Sequence, residues 1–219
     1  MPLSQHEILT DNAEVGIWQI EETEEWFLKR AQFLPSEVEQ LARIRGRKRL
    51  EWLAVRYLLH HLSGRKIRGA LVKDEYGKPH LEGSPFQISI SHSHGKAAVI
   101  AAPELCGIDI QKIVPKILRI QAKFMNEDEL EGLTPGAEIE QSHIVWGAKE
   151  SLFKAYGRKQ VDFRKHLHVL PFDYHEEGGK TTGFVLKDGI RQVYDIHYEL
   201  IDDFMLVYAR HKKTDTTTT

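Results

Sequence analysis

The sequence predicts an α+β protein in two halves, each combining one long helix with a small antiparallel sheet, with a boundary near Pro103. Three observations carry this. Two long helical stretches, 47–63 and 136–156, each end on a glycine, Gly64 and Gly157, the usual residue at a helix C-terminal stop. In the first half Phe86, Ile88 and Ile90 alternate with Gln87, Ser89 and Ser91, the period of a half-buried strand. In the last quarter the apolar runs 184–186, 193–200 and 204–209 are separated by Asp188-Gly189 and Ile201-Asp202-Asp203, which predicts antiparallel hairpins.

Taken in order, Val15 to Ile20 reads as a strand, followed by a Glu-rich segment carrying Trp26 and Phe27. Pro35-Ser36 with Glu39 reads as a capping box opening a helix that Gly46 divides. Its second part places Leu50, Ala54, Tyr57, Leu58 and Leu62 on a buried face and Arg49 and Arg56 on another. Ala97 to Ala102 pairs with the preceding strand through the polar turn 91–95, and Gly107 to Gln111 begins a third extended piece. Lys116 to Met125 and Glu127 to Gly132 are expected to be helical, the second capped by Asn126. The expected division is 1–103, 104–213 and a disordered tail, 214–219; Trp52 and Trp146 on the two long helices are the nearest thing to a repeat.

At 219 residues and 25.3 kDa the chain can bury a core without metal or disulfide staples. A charged fraction of 28% against 41% apolar excludes disordered, collagen-like and disulfide-scaffold classes. The single cysteine, Cys106, cannot form an internal disulfide, and with no basic-then-apolar leader the expected compartment is the cytoplasm. No apolar run approaches the roughly 18 residues of a membrane span. The net charge of −2 gives no reason to expect nucleic acid as a partner. Its distribution is uneven: from Arg43 to Arg68 nine basic residues face the single acid Glu51, so this stretch carries +8. It is either a solvated helix face or the seat of an anion.

Three segments bear chemistry. In Trp146-Gly147-Ala148-Lys149-Glu150-Ser151-Leu152-Phe153-Lys154-Ala155, Glu150 and Lys154 share a helical face, as an exposed ion pair or as a working acid and base. In Gly107-Ile108-Asp109-Ile110-Gln111, Asp109 sits on an apolar strand, where a carboxylate needs a partner: a capped turn, a salt bridge, or a hard cation such as Mg²⁺. Gly77-Lys78-Pro79 and Ser89 to Ser93 offer the lysine, hydroxyl and imidazole groups suited to a phosphate. The pairs His60-His61 and His166/His168 lack Cys or carboxylates at ligand spacing, which argues against zinc.

Together and in this order, Gly77-Lys78-Pro79, Ser91-His92-Ser93, Gly107-Ile108-Asp109-Ile110-Gln111 and the Trp146 to Lys154 helix resemble the 4′-phosphopantetheinyl transferase superfamily, in its longer, two-lobed type that activates peptide synthetase carrier domains. The resemblance implies two similar lobes related by a pseudo-two-fold, with the site in the cleft between them, so that a monomer suffices. It implies transfer of 4′-phosphopantetheine from coenzyme A to a serine of an acyl, peptidyl or aryl carrier protein, with fatty acid, polyketide and peptide synthetase carriers all open. Asp109 and Glu150, with Gln111 standing where the family has a second strand acid, would hold Mg²⁺. Glu150 or a metal-held water would take the serine proton, and Lys154 would meet the pyrophosphate. His92 with Ser91, Arg47 and Arg43 would meet the 3′-phosphate, and Lys78 the adenine end. Lys116, Arg119 and Lys123, with Phe124 and Met125 as apolar contacts, would receive the carrier. The Gln111 substitution also leaves open a coenzyme A or nucleotide-binding protein that has lost transfer.

Overall fold

Alternating apolar residues pair the backbone into two main sheets, each backed by helices. The computed structural model describes residues 3–9 and 12–212; the expected tail at 214–219 lies outside the described residues. The first sheet has the order β1 (Leu3–Ile8), β2 (Glu14–Gln19), β6 (Lys96–Ala102), β5 (Gln87–Ser93), all antiparallel. Between β2 and β5 the chain forms α1 (Glu24–Arg30), α2 (Pro35–Arg43), α3 (Arg47–Ser63) and the small hairpin β3 (Leu71–Lys73) and β4 (Pro79–Leu81). The second sheet runs β7 (Cys106–Lys112), β11 (Phe204–His211), β10 (Ile190–Ile201), β9 (Gly179–Lys187), β8 (Leu167–Val169). Two 3-10 turns (Pro115–Arg119, Gln121–Lys123), α4 (Glu127–Glu131) and α5 (Glu138–Tyr156) lie between β7 and β8. The α+β class therefore stands, with four strands in one sheet and five in the other. No helix among the described residues is long and apolar enough to cross a membrane.

The strand periodicity explains the layering. On β11, Met205, Val207 and Ala209 pack under α5 with Tyr194 and Ile196, while Phe204, Leu206 and Tyr208 point the other way. That second face meets Ile108 and Ile110 of β7 and Val15, Ile17 and Ile100 of the first sheet. The first sheet's remaining face takes Trp18, Ile88 and Val99 onto Leu53, Leu58 and Leu59 of α3. The order is helix, sheet, sheet, helix, and the inter-sheet core keeps β5 and β7 side by side.

Several expected boundaries move, for local reasons. The α2 cap is at Leu34: Pro35 takes the first helical position and Glu37, not Glu39, accepts the Leu34 amide at 3.2 Å. The Glu-rich segment is itself a helix, capped by Thr23. Ser91 to Ser93 end β5 rather than form a turn, since the reversal falls on His94 and Gly95. Lys116 to Met125 winds as two short 3-10 turns instead of an α-helix, whereas Asn126 caps α4 as expected through a reciprocal box with Glu129.

In the first half a buried charge network fixes the helices. Glu37, fully buried, receives both Arg68 guanidinium nitrogens at 2.9 Å and has Arg56 at 3.4 Å. Arg56 stacks its guanidinium 3.3 Å above Trp52, and burial, only partly offset by Glu37, draws it down to about 9. Burial alone would raise Glu37, but the Arg68 hydrogen bonds and charge, the Leu34 amide and Arg56 outweigh it and hold the carboxyl below its usual range.

In the second half the decisive feature is close approach. A Cβ on Gly107 would stand 1.8 Å from the Ser151 carbonyl oxygen of α5, and one on Gly147 2.6 Å from Val207 Cγ2. Strand and helix thus touch backbone to backbone.

Glu37→Gln is expected to cost about 3 kcal/mol in urea unfolding, because it leaves two buried guanidinium groups without their counter-ion. A depressed folded pKa means that Glu37's stabilisation is complete above the ordinary carboxylate range and is lost as pH falls through the folded value. The stability gap between parent and variant should accordingly narrow in acid. Gly107→Ala should destabilise by about 3 kcal/mol or more through overpacking against α5, and an unfolding midpoint equal to the parent's would contradict the contact.

Candidate active site

Two residues along a strand advance about 6.6 Å, and four along a helix about 6 Å, so β7 and α5 face each other turn by turn. Gly107 lies against Ser151 and Ala155, Asp109 against Lys154, and Gln111 against Gly147 and His143. The spacing that the sequence sets on each element places Asp109, Glu150 and Lys154 together.

Asp109 is buried. Its Oδ1 accepts from Lys154 Nζ at 2.9 Å and from Ser91 Oγ at 2.9 Å, the latter reaching across from the first sheet. Lys154 also donates to the Ile108 carbonyl at 2.8 Å. The partners of the carboxylate on this strand are a lysine and a serine, so Ser91, expected at a phosphate, donates to Asp109. Glu150 is half-buried and has neither a hydrogen bond nor an ion pair among the described residues. Burial and the neighbouring charge of Asp109 raise its pKa, with Lys154 opposing. Two hard oxygen donors, one without a partner and held in mutual repulsion, suit a divalent cation, which would relieve both penalties. No cluster of three or more His, Cys, Asp or Glu with ligand geometry exists among the described residues, so such a cation would draw its remaining ligands from substrate oxygens and water.

Gln111, expected as a third ligand, faces His143. Its Oε1 lies 3.0 Å from His143 Nδ1 and its Nε2 donates to the His143 carbonyl at 3.1 Å, so both amide heteroatoms are engaged within the fold.

Beside these groups a cleft of about 990 Å³ opens between α2, α3, the β3–β4 hairpin and the end of β5, with Lys154 at one edge. Arg43, Lys48, Lys73 and His92 supply its basic wall and Trp52 an apolar one. His92, exposed, has Nδ1 3.2 Å from Glu51, which also meets Arg47 at 3.6 Å. Arg47 itself does not line the cleft, and Arg43 does. Lys78 sends its ammonium to the Ala155 carbonyl at 2.7 Å, near the end of α5, while its neighbours Gly77 and Pro79 border the cleft. The hairpin turn behind it is organised by Asp74, which accepts the Tyr76 and Lys78 amides at 2.9 Å each.

Sequence reasoning did not single out Lys48, Lys73 or Glu51 at this cleft. Lys48 was one of several neighbouring cations, and nothing in its spacing separated it from Arg47. Phe124 and Met125, expected as apolar contacts for a carrier, are buried under Trp146 and α5. The apolar side chains exposed on that segment are Val114 and Leu118, beside exposed Lys116, Arg119 and Lys123.

Residues 105–209 match the model of the 4′-phosphopantetheinyl transferase superfamily. A 4′-phosphopantetheinyl transferase of Bacillus subtilis is 31% identical over 145 residues, covering 63% of this chain and 61% of that protein. The 4′-phosphopantetheinyl transferase gsp of Aneurinibacillus migulanus is 30% identical over 113 residues, covering 49% and 46%. The similarity thus spans about three fifths and just under half the length of these relatives. The matched region holds the whole β7–α5 contact with Asp109, Glu150 and Lys154, and it is there that the chain is similar to the 4′-phosphopantetheinyl transferase superfamily.

Proposed function

We propose that the chain transfers 4′-phosphopantetheine from coenzyme A to a serine hydroxyl of a carrier protein. The observation that carries this is the meeting of Asp109, unpartnered Glu150 and Lys154 at the edge of a basic cleft large enough for a nucleotide. In the reaction the serine oxygen bonds to the phosphorus that bears the pantetheine arm. The bond from that phosphorus to the bridging oxygen breaks, and adenosine 3′,5′-bisphosphate leaves.

Asp109 and Glu150 would hold Mg²⁺, which when bound supplies neutralisation of pyrophosphate charge. Glu150, its basicity raised by burial, accepts the serine proton. Lys154, fixed by the Ile108 carbonyl and Asp109, directs its charge at the departing bisphosphate. Arg43, Lys48 and His92 line the wall that would take the 3′-phosphate. Lys116, Arg119 and Lys123 project from the 3-10 turns next to α5, and their charge would steer an acidic carrier helix, with Leu118 and Val114 giving apolar contact. A monomer holds all these groups.

The competing reading, a coenzyme A-binding protein without transferase activity, is separated by intact-mass measurement of apo carrier domains with coenzyme A and Mg²⁺. A carrier serine that gains the arm supports transfer; bound coenzyme A with no gain on any of a peptidyl, acyl and aryl carrier panel supports binding alone. Glu150→Gln is expected to lower the transfer rate by about 10² or more while coenzyme A affinity stays near the parent's, and parental turnover would remove Glu150 from the chemistry. Charge reversal of Arg119 and Lys123 together should raise KM for the carrier by about tenfold with kcat little changed; an unchanged KM would place the carrier elsewhere.

A further inference from the structure

The amide at position 111 is built into a closed circuit. The Val114 N–H donates to His143 Nε2 at 3.0 Å and the Val114 carbonyl lies 3.2 Å from the same nitrogen, so the Nδ1–H tautomer is selected by Gln111, whose Nε2 is held by the His143 carbonyl and whose Oε1 therefore faces Nδ1 as an acceptor. Nδ1–H then donates to Gln111 Oε1 at 3.0 Å, and Gln111 Nε2 donates back to the His143 carbonyl at 3.1 Å. Both ring nitrogens and both amide heteroatoms have partners, and His143 is 2% exposed, so water does not compete. A carboxylate at position 111 would face the His143 carbonyl oxygen acceptor to acceptor, whereas an amide supplies the donor needed there. Gly147, between His143 and Glu150 on the same face of α5, leaves the space that Gln111 Nε2 occupies, 3.2 Å from where a Cβ would stand.

We propose that Gln111 and His143 form a latch that withdraws position 111 from the cation site, making His143 a positioning residue and leaving Asp109 and Glu150 as the two carboxylates that meet the cation. This rests on the transferase reading for the identity of the cation but not for the latch itself. The latch ties the end of β7 and the Val114 segment to α5 about two helical turns before Glu150. It performs mechanically what a third ligand would do by coordination: it holds strand and helix at fixed separation.

Two measurements on the full chain test this. In the first, Mn²⁺ binding is followed by electron paramagnetic resonance with coenzyme A present. Gln111→Ala should stay within about twofold of the parent, whereas Asp109→Asn should weaken Mn²⁺ by about tenfold or more. Weakening by Gln111→Ala equal to that of Asp109→Asn overturns the latch. An Asp109→Asn protein that binds Mn²⁺ like the parent overturns the two-carboxylate site. In the second, nitrogen-15 NMR of labelled histidines reports the His143 tautomer. The Nδ1–H form should persist when Mg²⁺ and coenzyme A are added to the parent, and Gln111→Ala should release it to a mixture. A parent ring that loses the Nδ1–H form on loading shows the amide leaving for the metal and overturns the proposal. This measurement needs no variant, so it stands even where Gln111→Ala fails to fold. Failure of arm transfer with the tautomer unchanged defeats the transferase reading and leaves the latch in place.

Discussion

Strand β7 and helix α5 lie so close that one methyl group at residue 107 would collide with the Ser151 carbonyl, and this spacing decides where every charged group of the site falls. At this close approach Lys154 reaches both the Ile108 carbonyl and Asp109. Ser151 Oγ donates to the Val207 carbonyl at 3.0 Å, binding α5 to β11 at the same depth. On the opposite side Ile108 and Ile110 are sealed into the inter-sheet core, so β7 has no room to retreat. The strand is clamped, and Asp109 is delivered between Ser91 of one sheet and Lys154 of the helix against the other.

Adjacent residues of α5 illustrate how burial divides labour among charges. Lys149 is fully buried, and its ammonium meets Glu129 at 2.6 Å and the carbonyls of Phe124 and Phe163 at 2.6 and 2.9 Å. Burial draws its pKa down against the pull of Glu129. Glu129 in turn accepts the Val169 and Asn126 amides. One ion pair thereby ties the 3-10 segment, the chain before β8 and α5 into a single unit. Glu150, one residue on, is left without such partners. Lys149 is committed to holding these segments together, whereas Glu150 keeps a carboxylate with no hydrogen bond or ion pair among the described residues.

The same logic separates what the sequence made legible from what it hid. Helix periods, glycine stops and the apolar alternation of β5 and β10 are local properties, and each corresponds to an observed element. That Asp109 needs a partner is legible from an acid on an apolar strand, but that the partner is Lys154, 45 residues on, is not. Strands β3, β4 and β8 have three residues each, too short for a period to register, and β1 gains its place by pairing with β2. The α2 cap was misplaced because Glu37 and Glu39 are equivalent in spacing logic and only the buried arginines choose between them. The contact of Gln111 with His143 was not legible because the two lie 32 residues apart and His143 carries no motif of its own.

The basic stretch 43–68 shows why formal charge is a poor guide to anion binding. Of its nine cations, Arg49 is turned onto Glu24, and Arg56 and Arg68 onto Glu37, so three are consumed as structure. Arg47 is paired with Glu51. What the cleft receives from this stretch is chiefly Arg43 and Lys48, joined by Lys73, His92 and Lys154 from elsewhere in the chain. The field at the cleft is set by which cations reach its wall, not by their density along the sequence. A helix carrying many arginines can present a small positive face, and a cleft can become strongly basic from residues that no single segment contains.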